Sequence, residues 1–201
     1  MNLSTTELAE IVATRTCHDL IGNIGTLKNV LGFIETDGSL DKETKNLLDD
    51  VSFLLNARQK FFRVAFGLET RAADNAELTE LCANYVATVG TRGHQIRLNL
   101  QGISPQLSKM TCLCIMIAAD VFIRGGEIEL NIGKDHLIVR AVTDFKFNEG
   151  EIAGYRSIIQ SQKPKDNLSQ YAQLLYLQNL LGNDVPMKFE ATDKEMVLVI
   201  G

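Results

Sequence analysis

The sequence predicts an α+β protein in which an N-terminal antiparallel helical hairpin precedes an α/β sandwich. In the first 66 residues, apolar residues recur at spacings of three and four, which is typical of long amphipathic helices. From about residue 78, short apolar helices alternate with segments in which every second residue is apolar. The polar segment 69–75 separates the two patterns. We therefore predict two domains: a helical hairpin over residues 1–70 and an α/β domain over residues 71–201.

The first helix is expected to begin near Ser4, Thr5 or Thr6, any of which can cap it, and to run to about Ile34. At 100° per residue its apolar side chains gather on one side, which predicts a core face. That face comprises Ala9, Val12, Ala13, Thr16, Leu20, Ile24, Leu27, Val30, Leu31 and Ile34. The segment 36–41 has the composition of a turn and predicts the bend of the hairpin.

The second helix is predicted from about Asp41 to Phe66, with Gly67 as a plausible stop. Two long amphipathic helices leave much of their apolar stripes uncovered, because a pair cannot enclose a core. We therefore expect a homodimer in which two hairpins form a four-helix bundle. The alternative is that the C-terminal half covers the stripe within one chain.

The rest of the chain is predicted to form short helices and strands that together build a mixed sheet with one helical layer. We expect helices at 78–89, 106–123 and from Asn167 or Ser169 to 181, strands at 95–100, 127–132, 136–142, 187–191 and 196–200, and a loop with at most one helical turn at 143–165.

Composition excludes several classes of function. The net charge of −5 argues against binding to a phosphate backbone, so we expect no nucleic-acid partner. There is neither an apolar run of membrane-spanning length nor a signal-peptide layout, so we predict a cytoplasmic protein without membrane attachment. The cysteines lack metal-binding spacings and lie in apolar segments, which predicts reduced core thiols and neither metal nor cofactor. They are Cys17, Cys82, Cys112 and Cys114.

The most informative residue of the first helix is His18, which points away from the predicted core face and should be exposed. Gly22 and Gly25 follow one and two turns later on the same side, although a glycine inside a helix costs roughly 1 kcal/mol relative to alanine. A flat surface that another protein's backbone can approach would offset that cost. The alternative is an ordinary surface histidine beside an ordinary solvated acid, Asp19.

The order of elements in the second half resembles the ATP-binding domain of sensor histidine kinases, which likewise follows a histidine-bearing hairpin. The nucleotide chemistry is missing. Where the kinases carry a metal-binding Asn, this chain has the stretch 118–120, which ends in Asp120. Where they carry a glycine-rich Asp-x-Gly-x-Gly loop, it has the bulky segment 143–147. We therefore expect no ATP binding.

A histidine hairpin joined to such a domain resembles the ChpT-type histidine phosphotransferases of bacterial phosphorelays. Three segments carry the resemblance: residues 17–21, 59–67 and 117–126, which read CHDLI, QKFFRVAFG and IAADVFIRGG. It implies that His18 accepts a phosphoryl group from one receiver domain and passes it to another, with Mg²⁺ held by the receiver and not by this chain. Asp19 matches the acid that follows the phosphohistidine.

From this resemblance we expect His18 and Asp19 to be catalytic and the phosphoryl group or partner to contact Arg15, Gly22, Asn23 and Gly25. The partners implied are the receiver domains of a hybrid kinase and of response regulators. Gly22 and Asn23 depart from the family pattern, which has a hydroxyl residue and a proline there. That departure leaves open a receiver-binding adaptor that takes no phosphate. An ATP-dependent histidine kinase is a third possible function, but the 143–147 segment argues against the nucleotide binding it would require.

Overall fold

The structure, a computed structural model, describes residues 3–37, 41–68, 71–90, 94–162, 167–182 and 185–201. The helices are α1 (Thr5–Asp37), α2 (Lys42–Phe66), α3 (Asn75–Val89), α4 (Ser108–Asp120), α5 (Glu149–Ile159) and α6 (Ala172–Leu181). The strands are β1 (Ile96–Gln101), β2 (Gly126–Ile132), β3 (Leu137–Val142), β4 (Met187–Ala191) and β5 (Glu195–Ile200). Short 3₁₀ turns at Pro105–Leu107 and Leu168–Tyr171 precede α4 and α6.

The first two helices form the predicted hairpin, and local capping fixes their ends. The Glu7 backbone N–H donates to the Ser4 hydroxyl, and the Glu7 carboxylate accepts from the Ser4 backbone and hydroxyl, which is a capping box. Asp41 caps α2 by accepting from the Thr44 backbone N–H at 2.7 Å, and α2 ends at Gly67 as predicted. α1 continues to Asp37, beyond the predicted start of the turn, and residues 38–40 of that turn lie outside the described residues.

The five strands form one mixed sheet in the order β1-β2-β3-β5-β4. β1 pairs with β2 in parallel, and every other neighbouring pair is antiparallel. Side chains of β3 and β5 alternate between buried and half-buried, so one face of the sheet packs against helices while the other faces solvent. The α+β fold class is therefore confirmed, including the β2–β3 hairpin around residues 133–135.

Helix α4 lies at the centre of the molecule, since it contacts β2 and β3 on one side and α2, α3 and α6 on the others. Its residues 111–119 are fully buried. The same continuous core includes hairpin residues, among them Leu8, Phe61 and Ala65. The alternative that the C-terminal half covers the hairpin's apolar stripe thus holds for the end of the hairpin nearest that half. The division into domains at residue 70 stays a prediction, and residues 69–70 are outside the described part of the chain.

The structure of the single chain differs from several expectations about burial and secondary structure. The core face of α1 buries Val30 and half-buries Val12, Thr16, Leu20, Leu27 and Ile34, but Ala9, Ala13, Ile24 and Leu31 are exposed in this single chain. Cys17 is exposed because it lies off the contact with the second half, whereas Cys82, Cys112 and Cys114 are buried. The helix predicted over 106–123 ends earlier, at Asp120.

The segment expected to be a loop contains the helix α5. Asn148 caps it by accepting from the backbone N–H groups of Gly150 and Glu151, and its buried side chains include Ile152, Tyr155 and Ile158. Two glycines obscured this pattern in the sequence. Gly154 is required by packing, because a Cβ there would lie 2.0 Å from the Tyr171 hydroxyl. In the described part of the chain, no helix has both the length and the apolar character needed to cross a membrane.

Candidate functional site

His18 lies in the middle of α1 with its side chain 82% exposed, as predicted. Its Nδ1 atom is 3.2 Å from Oδ1 of Asp19, the next residue of the helix. A carboxylate only accepts hydrogen bonds, so this contact requires a hydrogen on Nδ1. In a neutral ring with that tautomer, Nε2 carries the free lone pair. The imidazole therefore presents a nucleophilic nitrogen on a helix surface.

Gly22 and Gly25 are exposed on α1 beyond His18, and we call these two residues the glycine strip. Among the residues that the structure describes, no atom lies within 4 Å of a Cβ built at either position. The packing of this chain therefore does not require glycine there, and the strip is free for an approaching molecule. Asn23 is placed differently. It is half-buried, and its side-chain nitrogen has no hydrogen-bond partner among the described residues.

Two arginines contact Asp19 on the side of α1 that packs against the rest of the chain. Its Oδ2 accepts from Nε of Arg15 at 2.8 Å, and the Asp19 side chain is only 13% exposed. Its backbone carbonyl accepts from an Nη of Arg58 at 2.7 Å. Arg58 belongs to α2 and also donates to the hydroxyl and carbonyl oxygens of Thr88. The backbone at the histidine is thus tied to both α2 and α3.

Arg15 is a partly buried ion-pair residue, with its side chain 13% exposed, and it joins α1 to the second half of the chain. Besides Asp19, it contacts Oδ1 of Asp120 at 2.9 Å and donates to the Gln170 carbonyl at 2.8 Å. Burial alone would lower the pKa of Arg15, but the carboxylates of Asp120 and Asp19 outweigh that effect and raise it above the ordinary value. The guanidinium is therefore permanently charged.

Asp120 ends α4 and accepts hydrogen bonds from two further elements. The Tyr155 hydroxyl of α5 donates to it at 3.0 Å and the Gln173 side-chain nitrogen of α6 at 2.5 Å, and these two groups also contact each other. Burial raises the pKa of the Asp120 carboxyl, and the neighbouring Arg15 opposes that rise. Burial and Asp120 raise the pKa of Tyr155, so the phenol stays protonated and donates a hydrogen bond to Asp120. We call Arg15, Asp120, Tyr155 and Gln173 the buried polar cluster.

A cavity of about 260 Å³ opens beside the histidine, between α1 and the segment that leads into α6. Its lining residues are Arg15, His18, Asp19, Asp120, Glu151, Asn167, Ser169 and Gln170. The site is therefore shared between the hairpin and the second half of the chain. No group of three or more His, Cys, Asp or Glu residues in the described ranges is arranged to hold a metal ion.

The segment 143–147, where kinases carry their glycine-rich loop, is occupied by bulky side chains. Phe147 is buried with its ring centroid 5.5 Å from that of Phe122, and its backbone N–H donates to the Asp193 carbonyl at 2.8 Å. The Thr143 hydroxyl donates to the Gly125 carbonyl at 2.9 Å. These contacts, together with the engagement of Asp120 in the buried polar cluster, support the expectation that the chain does not bind ATP.

The structure brings His18, Asp19 and Arg15 together and leaves the glycine strip open beside them. Sequence reasoning missed the roles of Arg58, Asp120, Tyr155 and Gln173 at this site. One signal was available for Asp120, an acid at the end of an otherwise apolar helix. Another was available for Arg58, an arginine within the apolar repeat of α2. The sequence offered no comparable sign for Tyr155 or Gln173.

Comparison with known proteins supports the resemblance read from the sequence. The chain is similar to the protein phosphotransferase ChpT of Brucella abortus (strain 2308), with 28% identity over 109 residues, or 54% of this chain and 51% of that protein. It thus spans about half the length of the curated relative that it matches. No family model matches the chain.

A solved structure described as a bacterial phosphotransferase matches 100% of this chain and 98% of its own, with a TM-score of 0.77 at 20% sequence identity. At that identity the likeness shows a shared fold. The histidine kinase AdeS of Acinetobacter baumannii matches 91% of this chain and 95% of its own with 12% identity and a TM-score of 0.42. The resemblance to ChpT-type proteins, predicted from the sequence, is confirmed by the first two matches.

Proposed function

We propose that this protein is a histidine phosphotransferase that relays a phosphoryl group between receiver domains through His18. One observation carries the proposal: an imidazole that is 82% exposed has its Nδ1 atom against a carboxylate that is itself only 13% exposed. This arrangement leaves Nε2 directed at solvent on a helix whose next turns are open glycines. The similarity to a named phosphotransferase supports the same function.

The proposed step forms one bond and breaks one. The Nε2 lone pair of His18 attacks the phosphorus of an aspartyl phosphate, an N–P bond forms, and the P–O bond to the aspartyl carboxylate breaks with its electron pair leaving on that carboxylate. Nδ1 keeps its proton, so the ring gains positive charge. Asp19 offsets that charge by accepting the Nδ1 hydrogen bond. Transfer to a second receiver is the same step in reverse.

Most of the charge on the transferring group lies on its oxygens, and the receiver's own Mg²⁺ and cationic side chains are expected to neutralise it. This chain then supplies a positioned nucleophile and a docking surface. The glycine strip suits that role, because it allows a partner's backbone to approach α1 closely. The proposed location is the cytoplasm, and the proposed partners are receiver domains of a hybrid kinase and of response regulators.

The proposed assembly is a homodimer built through the outer half of the hairpin, by which we mean the part of α1 and α2 nearer the turn that joins them. The inner half is the part that packs against the second half of the chain. Several large apolar side chains of the outer half are exposed in the single chain: Ile21, Ile24, Leu31, Leu47 and Phe53. A two-fold copy of the same surface would cover them and complete a four-helix bundle. In this arrangement residues 1–70 form the transfer and dimerisation domain, and residues 71–201 pack against its inner half.

A second candidate is an adaptor that binds receivers without taking phosphate. Gly22 and Asn23 favour it, because they stand where the resembled family carries a hydroxyl residue and a proline, and the Asn23 side chain is half-buried. An ATP-dependent kinase is not proposed, since the contacts of Phe147 and Asp120 oppose it. A calorimetric titration with Mg-ATP checks this exclusion, and we expect no binding heat.

The test of the proposed function is phosphoryl transfer from a phosphorylated receiver to the purified chain. We expect base-stable, acid-labile label on the wild type and none on His18→Gln. His136→Gln is the matched control, because His136 is an exposed histidine on the β2–β3 hairpin, and it should label like the wild type. Equal label on His18→Gln and the wild type would refute the assignment. Receiver binding without label on any variant would establish the adaptor instead.

A further inference from the structure

The second half of the chain reaches the Asp19 carboxylate, beside the histidine, through Arg15. Its guanidinium is a rigid planar fork whose directions are fixed relative to one another. Three acceptors occupy that fork: Oδ2 of Asp19 at 2.8 Å, Oδ1 of Asp120 at 2.9 Å and the Gln170 carbonyl at 2.8 Å. Because two of these acceptors belong to the second half, that half determines where the arginine lies.

Asp120 is in turn fixed by donors from two further helices. The Tyr155 hydroxyl comes from α5 and the Gln173 side-chain amide comes from α6. Four helices therefore meet at one carboxylate–guanidinium pair whose side chains are 10% and 13% exposed. A buried pair with satisfied hydrogen bonds adopts a single arrangement, since leaving either charge unpaired would be costly.

The contact between His18 and Asp19 has no comparable support of its own. The imidazole is 82% exposed, and ion pairs or hydrogen bonds at an exposed surface contribute little ordering. The Asp19 side chain keeps its orientation because its other oxygen is held by Arg15. The orientation of the imidazole therefore depends on the contact between Arg15 and Asp19 on the buried side of α1.

We propose that Arg15 and Asp120 are positioning residues for His18. The pair fixes the Asp19 carboxylate so that the hydrogen of the imidazole stays on Nδ1 and the lone pair on Nε2 faces the partner. In this role Arg15 acts through Asp19 and does not contact the phosphoryl group. The kinase-like half, with bulky residues in place of a nucleotide loop, then serves to orient the nucleophile. The consequence for transfer rests on the proposed function, whereas the consequence for the tautomer does not.

The tautomer can be measured directly on the unphosphorylated protein. With ¹⁵N-labelled histidine, long-range ¹H–¹⁵N correlation spectra distinguish an Nδ1–H ring from an Nε2–H ring. We expect His18 of the wild type to be mainly Nδ1–H at a pH where the ring is neutral. An Nε2–H ring at His18 of the wild type would overturn the proposal, whatever the variants do.

We call the positioning of Asp19 by Arg15 and Asp120 the brace. The variant that tests it is Arg15→Gln combined with Asp120→Asn. Removing both charges together avoids leaving either one buried and unpaired. We expect the His18 signal to shift towards Nε2–H and transfer to slow by about ten- to a hundred-fold, the range that misplacing a reacting group costs. Receiver affinity should not change. The matched control is Glu129→Gln with Arg140→Gln, an exposed pair on the sheet with atoms 3.0 Å apart, which should leave both readouts unaltered.

The outcomes separate this proposal from the proposed function. A double variant that folds with the wild-type tautomer and transfer rate would refute the brace while leaving phosphotransfer intact. A wild type that takes no phosphate would refute phosphotransfer, and the tautomer comparison would still decide the brace. Should the double variant fail to fold, as judged by circular dichroism, Arg15→Lys takes its place, because lysine keeps the charge but loses the planar fork that holds Asp19. An unchanged His18 tautomer in that folded variant would refute the positioning role.

Discussion

The two halves of the helical hairpin differ in what covers their apolar side chains. In the inner half, Leu8, Phe61 and Ala65 are buried in the same core as α4 and the sheet. In the outer half, Ile24 and Phe53 are 53% and 46% exposed. His18 lies between the two halves. The difference shows how an exposed side chain can be both accessible and ordered. Arg58 and Arg15 hold the backbone and the carboxylate of Asp19, while the imidazole itself is 82% exposed.

The largest difference between the halves is expected in the free energy of unfolding. Phe61 is fully buried, and its ring stacks on Tyr85 with centroids 3.8 Å apart. Phe61→Ala should therefore lower stability by about 3–5 kcal/mol, because it removes buried area and leaves a cavity. The loss should not depend on protein concentration, since it arises within one chain. Urea unfolding followed by circular dichroism measures it.

Phe53→Ala is the comparison within the same helix. Its ring is half-exposed in one chain, so the loss at low protein concentration should be much smaller than for Phe61→Ala. If the outer half dimerises, the loss should grow as concentration rises. Equal losses for Phe53→Ala and Phe61→Ala at low concentration would contradict the contrast between the halves.

The next prediction concerns the homodimer. Ile21, Ile24 and Leu31 lie within about 80° of one another around α1 and form one apolar side. Ile24→Glu would place an unpaired charge inside the proposed interface in both copies. We expect the dissociation constant to rise on the order of 100-fold or more, because burying an unpaired charge costs several kcal/mol. Sedimentation velocity over a concentration series measures the change.

Ile123→Glu provides the control for this substitution. Ile123 is 57% exposed and lies just beyond the end of α4, so the same change of chemistry occurs away from the hairpin. It should dimerise like the wild type. A wild type that stays monomeric throughout the series, or an Ile24→Glu variant that dimerises normally, would exclude the outer half as the interface.

A smaller and opposite effect is expected at the glycine strip. Gly22→Ala should stabilise the protein by roughly 1 kcal/mol, because alanine favours a helix interior and the added Cβ has no described atom within 4 Å. The same methyl group would stand one turn from His18 on the open surface, so phosphoryl transfer should slow. Thermal unfolding measures the expected gain in stability, and the transfer assay measures the expected loss in transfer rate.

Gly32→Ala supplies the matched control, since no described atom lies within 4 Å of a Cβ added there and the position is about 21 Å along the helix from His18. It should gain similar stability with no change in transfer. Faster or unaltered transfer by Gly22→Ala would show that the partner does not approach the strip closely.

Much of this fold could be predicted because its signals are local. The ends of α2 follow from Asp41 and Gly67, and the strands follow from alternation against one buried face. The helix α5 could not be predicted in this way. Gly150 and Gly154 weaken its local helix signal, and its stability depends on burying Tyr155 and Ile158 against distant elements. Tertiary packing therefore overrode local preference there.

The candidate site likewise combines features that depend on nearby residues with features that depend on the whole fold. The exposure of His18 follows from helix geometry over a few residues, whereas the role of Asp19 is indicated by the family resemblance. The pairing of Arg15 with Asp120 joins positions 105 residues apart, and no spacing rule connects them. The apolar context of Asp120 indicated that the acid needed a partner, but the fold alone identifies it. The same limit applies to Arg58, whose partners Asp19 and Thr88 lie 39 and 30 positions away in the sequence.

The smallest expected effect is a labelling rate that reports on the boundary between the two halves. Cys17 is exposed, while Cys82, Cys112 and Cys114 are buried, and burial raises the pKa of the Cys112 and Cys114 thiols. A thiolate is the reactive form, so only one thiol should react quickly in the native protein and four after unfolding. Cys17→Ser should show no fast reaction.

Cys17 also stands seven residues before Ile24, which places the two on nearly the same side of α1. Dimerisation through the outer half should therefore slow the labelling of Cys17 as protein concentration rises, without changing stability at low concentration. Ile24→Glu should abolish that dependence. If the wild type dimerises but its labelling rate does not depend on protein concentration, this side of α1 is not part of the interface.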